Sequence, residues 1–120
     1  MDLITAIKKR DMELTKSIVK SKESIDYKDR SGMTPLMIAV DSDNAPIVGL
    51  LLEAGAKVDE IDKYGQTALM LAAGRGNMPI VKLLLAANAN TKLVSKSRAT
   101  AYDFAFENMR KEIAQLLKNK

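Results

Sequence analysis

The residues best suited by type to chemistry are five carboxylates, Asp41, Asp43, Asp59, Glu60 and Asp62, and the glycine-flanked arginine of Gly74-Arg75-Gly76. Clustered carboxylates hold a divalent cation when their spacing wraps oxygens around one point, and these five follow no calcium-loop spacing. They read as a solvated acidic surface. Gly74-Arg75-Gly76 lacks the remaining spacing and preceding strand of a dinucleotide fingerprint, and it lacks the lysine of a phosphate loop. It reads as a turn between two helices. The chain contains no Cys and no His, which removes disulfides, the usual zinc sites, thiol nucleophiles and acid–base schemes built on imidazole. With no convergent nucleophile or carboxylate pair, the expectation is a non-enzyme with no cofactor and no metal.

The elements that carry these residues must come from 120 residues, 47% hydrophobic and 28% charged with a net charge of +4. That is one domain with a small core, and too ordered a composition for a disordered chain. The first ten residues place Leu3, Ile4 and Ile7 before Lys8, Lys9 and Arg10, the reverse of a secretory signal. Uncharged apolar runs such as Thr67 to Gly74 are far too short to span a bilayer. A cytoplasmic location is the default expectation.

Internal repetition organises the whole chain. An offset of 33 residues carries Gly32 to Gly65, Thr34 to Thr67 and Thr100, Leu36 to Leu69, and Ala39 to Ala72 and Ala105. It also carries Ile47-Val48 to Ile80-Val81 and then Ile113-Ala114, while a step back maps Leu36 to Leu3 and Ala39 to Ala6. Four copies result, approximately 1–28, 29–61, 62–94 and 95–120, the outer two degenerate. Within a copy, Thr34 is an N-cap acceptor, with Pro35 in the first turn where a missing N–H is harmless. Asn44 and Asn77 cap a second helix, with Pro46 and Pro79 in its first turn. The apolar face of that helix is predicted at Ile47, Leu50, Leu51 and Ala54, ending at Gly55 or its equivalent Asn88. Residues 56–66 form a hairpin-like link.

Asp29-Arg30-Ser31-Gly32-Met33-Thr34-Pro35-Leu36-Met37-Ile38-Ala39 and Asp62-Lys63-Tyr64-Gly65-Gln66-Thr67-Ala68-Leu69-Met70-Leu71-Ala72-Ala73 resemble the ankyrin-repeat signature, D-x-x-G-x-T-P-L-H-x-A-A. The resemblance implies an all-α solenoid of four helix-turn-helix units joined by hairpin-like loops, with little sheet. It further implies a module that binds another protein and carries no catalysis. Three departures stand out. Met37 and Met70 occupy the family's His position, so the hydrogen bonds of that His are expected to be absent. Arg98 stands where Gly32 and Gly65 stand, and Asp43 where Gly76 stands, in turns that favour positive φ. In the last copy the signature survives only as Thr100 to Ala105.

Polar replacements mark both ends. Thr5 and Ser17 replace Ile38 and Leu50, and Lys118 replaces Leu52 and Leu85, so the outer copies read as caps, the array as complete and the protein as a monomer, the alternative being a piece of a larger protein. Charge is uneven: seven basic and five acidic groups in 1–28, two and six in 29–61, four and one in 62–94, six and three in 95–120. With two Phe and three Tyr in all, nothing interleaves with the basic residues as nucleic-acid binding requires, and a weak nucleic-acid binder is the least favoured reading.

The candidate partner-binding residues are Arg30, Ser31, Met33, Lys63, Tyr64, Gln66, Arg75 and Lys96, at the hairpin tips and on the concave face of the first helices. Arg30, Lys63 and Lys96 are 33 apart and form a row, spaced on the order of 10 Å if repeats pack like helices. Tyr64 and Arg75 are the expected central anchors, and the expected partner is a protein bearing acidic residues. Asp29 and Asp62 are positioned to neutralise two of the three cations. The competing reading is a structural spacer with no dedicated partner site.

Overall fold

The computed structural model describes residues 2–20 and 25–120. Among the described residues the chain forms eight helices and no strand: α1 (Leu3–Lys8), α2 (Met12–Lys20), α3 (Pro35–Asp41), α4 (Ala45–Glu53), α5 (Ala68–Arg75), α6 (Met78–Ala86), α7 (Ala101–Glu107) and α8 (Lys111–Leu117). The odd-numbered helices stack in one layer and the even-numbered ones in a second. The result is a stack with extents of 38 × 25 × 22 Å.

Local chemistry starts every helix but the last. The side chains of Thr34, Thr67 and Thr100 accept from the N–H groups of Met37, Met70 and Asp103 at 3.2–3.3 Å, satisfying donors that the first turn leaves unpaired. In α1 the same role falls to Asp2, whose carboxylate accepts from Thr5 N. Asp11, Asn44 and Asn77 cap the second helices in the same way. Arg110 occupies that place before α8 and provides no side-chain cap.

The turn inside each pair is held by the backbone. The N–H groups of Asp11, Asn44, Asn77 and Arg110 reach back to the carbonyls of Ala6, Ala39, Ala72 and Ala105 at 2.8–3.2 Å. That five-residue return puts Arg10, Asp43, Gly76 and Met109 at φ between 54° and 79°, the left-handed region. Only one of the four is glycine. The loss of glycine at Asp43 therefore changes the local cost, on the order of 1 kcal/mol, and leaves the path of the chain intact.

The core follows from sandwiching. In α3 every residue from Pro35 to Val40 is buried, and α5 buries Ala68, Leu69, Met70, Ala72 and Ala73, because each lies between neighbours and in front of its own second helix. The second helices bury one stripe: Ile47, Val48 and Leu51 in α4, and Ile80, Val81 and Leu84 in α6. Leu50 and Ala54, expected on that stripe, sit half-buried at its margin, and Val48 takes the central position. Thr5 is half-buried, and Ser17 and Lys118 are exposed, as polar end positions require. In α2, Thr15 replaces Val48 and is fully buried; its hydroxyl donates to Asp11 O at 2.7 Å, so no polar atom is orphaned.

Met37 and Met70 are 1% exposed and belong to the core. Exchange of either for Leu conserves volume and is expected to cost no more than about 1.5 kcal/mol in urea denaturation. The Met70→Leu change should be the larger of the two, because the Met70 sulfur accepts from Thr67 N at 3.4 Å.

Candidate interaction surface

Each hairpin is built around one inward-turned polar side chain. Asp29 Oδ1 accepts from Ser31 N and Met33 N, and Asp62 Oδ1 accepts from Tyr64 N and Gln66 N, all at 2.9 Å. In the last hairpin Ser95 Oγ accepts from Ala99 N at 3.3 Å and lies 2.8 Å from Ser97 Oγ. Asp62 and Ser95 are buried. Asp29 and Asp62, expected beside two of the tip cations, form no ion pair with them among the described residues; their carboxylates hold their own loops, because the N–H groups of a tight turn converge where the carboxylate sits.

Neighbouring hairpins touch through the backbone. Lys63 N donates to Ser31 O at 2.9 Å and Lys96 N to Tyr64 O at 3.0 Å. A Cβ on Gly32 would stand 2.9 Å from Lys63 N, and one on Gly65 would stand 2.9 Å from Lys96 N. Glycine is therefore required there twice over, for close approach and for φ of 79° and 74°. Arg98 adopts the same left-handed conformation at φ 68°.

Side chains on this edge point outward. Arg30, Lys63 and Lys96 are exposed, and Tyr64 is 56% exposed with Lys63 Nζ 5.1 Å from its ring centroid. Tyr64, Gln66, Ser95, Lys96 and Ser97 line a shallow hollow of about 420 Å³. Ser31, Met33 and Gln66 are half-buried, Met33 packing against the core. Sequence reasoning missed Ile61 and Val94, 46% and 56% exposed. They share one repeat register, a signal present in the sequence, but their outward direction depends on Asp62 and Ser95 turning inward beside them. The two central first helices add little surface: α3 is buried up to Val40, and α5 leaves only Leu71, Gly74 and Arg75 partly or fully open.

Arg75 is not beside Tyr64. It ends α5, whose eight residues separate the hairpin tip from the inter-helix turn by about 12 Å of rise. There its guanidinium grips Asp43 through two contacts, 2.7 Å and 3.1 Å, and reaches Asp41 at 3.4 Å. Asn77 Nδ2 adds a bond to Asp43 at 3.2 Å. Hydrogen bonds from Arg75 and Asn77 hold the Asp43 carboxyl below its ordinary pKa, and the bond to Asp43 raises that of Arg75. Two further arginines stitch the same edge: Arg10 Nη1 donates to Ser42 O at 2.8 Å, and Arg110 Nε donates to Gly74 O at 3.2 Å. The remaining carboxylates are also engaged, Asp59 with Asn90 N and Glu60 with Lys28 Nζ. Among the described residues no group of His, Cys, Asp or Glu is placed to hold a metal ion.

This geometry, paired helices on a strict repeat with hairpins tied edge to edge, is what a comparison with family models finds: the model for ankyrin repeats in three copies matches residues 3–62 and 55–120. The chain belongs to the ankyrin-repeat family. No curated protein matches it. Ankyrin repeats are generally protein–protein interaction modules, typically non-enzymatic. No helix among the described residues is long and apolar enough to cross a membrane.

The ankyrin His position is only partly vacated. The bond back to the helix cap, expected to be absent, is made by Met70 sulfur in the third repeat and by Asp103 in the fourth, whose Oδ2 accepts from Thr100 N at 2.9 Å. A side-chain acceptor at the third position of the helix, thioether or carboxylate, suffices for that return.

Two outcomes test this surface. Gly65→Ala should cost roughly 2 kcal/mol or more in chemical denaturation, since both the φ and the Lys96 backbone oppose a methyl, whereas Arg98→Gly should be neutral or stabilising. Asp43, its folded pKa depressed, contributes stability that is present above the usual carboxylate range and lost as pH falls through its lowered value. Acid titration followed by circular dichroism should accordingly show a flatter acid limb for Asp43→Asn than for the parent.

Proposed function

We propose that this ankyrin-repeat chain acts as one monomeric, cytoplasmic, non-catalytic domain that binds a partner protein bearing acidic residues along its hairpin tips. The observation that carries the reading is the row of outward cations on backbone-locked hairpins. Arg30, Lys63 and Lys96 are exposed at equivalent positions, and the bonds from Lys63 N and Lys96 N fix each tip against the one before it. A preorganised row loses little freedom on binding, and its charge speeds encounter with an acidic surface. Tyr64 supplies the central contact, with Gln66 at the floor of the hollow beside it and Ser31 and Met33 at the margin. Arg75 is left out of this surface, since its charge is already committed to Asp43 and Asp41.

A spacer has no use for exposed aliphatic and aromatic residues beside cations that form no ion pair among the described residues, which favours the binding module. A partner captured from native lysate and quantified by mass spectrometry supplies the ligand for the decisive comparison. Reversing Arg30, Lys63 and Lys96 together to Glu should slow association and weaken its salt dependence while leaving the melting curve nearly unchanged. Unaltered affinity after the triple reversal moves the partner to the outer helices.

A further inference from the structure

The outward face of the last repeat breaks the pattern of the stack in a different way from a polar cap. α7 carries Tyr102 and Phe106 at the positions held in α5 by Leu69 and Ala73, which are buried. The two rings stack with centroids 5.9 Å apart, and Phe106 is 63% exposed. Beside them α8 and its C-cap residue present Lys111, Ala114, Gln115 and Lys118 at i, i+3, i+4 and i+7, one stripe of a helix. These six residues line an open hollow of about 250 Å³. Neither Lys111 nor Lys118 forms an ion pair among the described residues.

We propose that this end face docks an amphipathic helix of another protein, its apolar side seated on Tyr102 and Phe106 and its acidic residues facing Lys111 and Lys118. Continuity with the stack sets the shape of the occupant: α5 is covered by α7, and α4 by α6, so the relief on α7 and α8 is that of a surface made to receive helices. The two unpaired lysines select acidity. The end face and the hairpin edge are separate surfaces, so the proposal does not depend on the tip row.

Fluorescence anisotropy of the full chain with a labelled helical peptide of about five turns tests it, leucines at i, i+3, i+4 and i+7 and glutamates on the flanks, against a twin with lysines on the flanks. Saturable binding of the acidic peptide is expected, weaker by about tenfold for the lysine twin, for Phe106→Ala and for Lys111→Glu with Lys118→Glu. Phe106→Leu should retain most of the affinity, which separates a lost contact from a lost fold, and the triple tip reversal should leave it unchanged. Amide shifts confined to residues 102–118 would support the proposal. Equal binding of the two peptides, no saturation, loss on tip reversal, or self-association that Phe106→Ala abolishes would each overturn it.

Discussion

The bond from Lys63 N to the carbonyl of Ser31, repeated from Lys96 N to Tyr64 O, brings successive hairpins into backbone contact. Such contact leaves no room for a side chain on the inner side of the tip, which is why glycine stands at positions 32 and 65. Once the tips are in contact, the polar residue opening each loop must turn inward to satisfy the N–H groups of the turn, and its neighbours must turn out. The exposure of Arg30, Lys63, Tyr64 and Lys96, and equally of Ile61 and Val94, follows from that single approach.

The two long edges of the stack use arginine and lysine for opposite purposes. At the turn edge Arg10, Arg75 and Arg110 each reach an adjacent repeat, and the planar guanidinium suits both the two-point grip on Asp43 and the bonds to Ser42 O and Gly74 O. These pairs are exposed, so each adds little to stability; their effect is to fix neighbouring turns in one alignment. At the hairpin edge Lys28 pairs with Glu60 and Lys63 lies over the Tyr64 ring, while Arg30, Lys63 and Lys96 form no ion pair among the described residues. The acidic surplus of the second repeat therefore does not form an acidic surface of its own. Asp41 and Asp43 face Arg75 of the third repeat, and Glu60 faces Lys28 of the first.

The repeat also explains why glycine is dispensable in one turn and indispensable in another. Arg10, Asp43 and Met109 adopt the left-handed conformation at the place held by Gly76 in the third repeat because the return bond to the alanine carbonyl imposes it, and what a Cβ on Gly76 would meet is the flexible Arg110 side chain. Gly32 and Gly65 meet the same φ with backbone 2.9 Å away, and there the obstacle is volume.

The sequence alone determined the period, the four helix pairs, the Thr and Asn caps and the core alanines. Each is a local preference repeated at a fixed offset, and recurrence of caps, prolines and apolar spacing every 33 residues admits one architecture. It also identified the exposed cations of the tips, because Gly-bearing turns lie at the surface. Only the tertiary structure decided what those charges face. Arg75 and Tyr64, 11 positions apart in the sequence, lie at opposite ends of α5, while Arg75 and Asp43, 32 apart, share two hydrogen bonds. The inward turn of Asp62, the central burial of Val48 in place of Leu50 and the aromatic end face of α7 were hidden for the same reason. Side-chain direction is set by which neighbour a stacked repeat brings near, and periodicity along one chain does not encode the contacts across two.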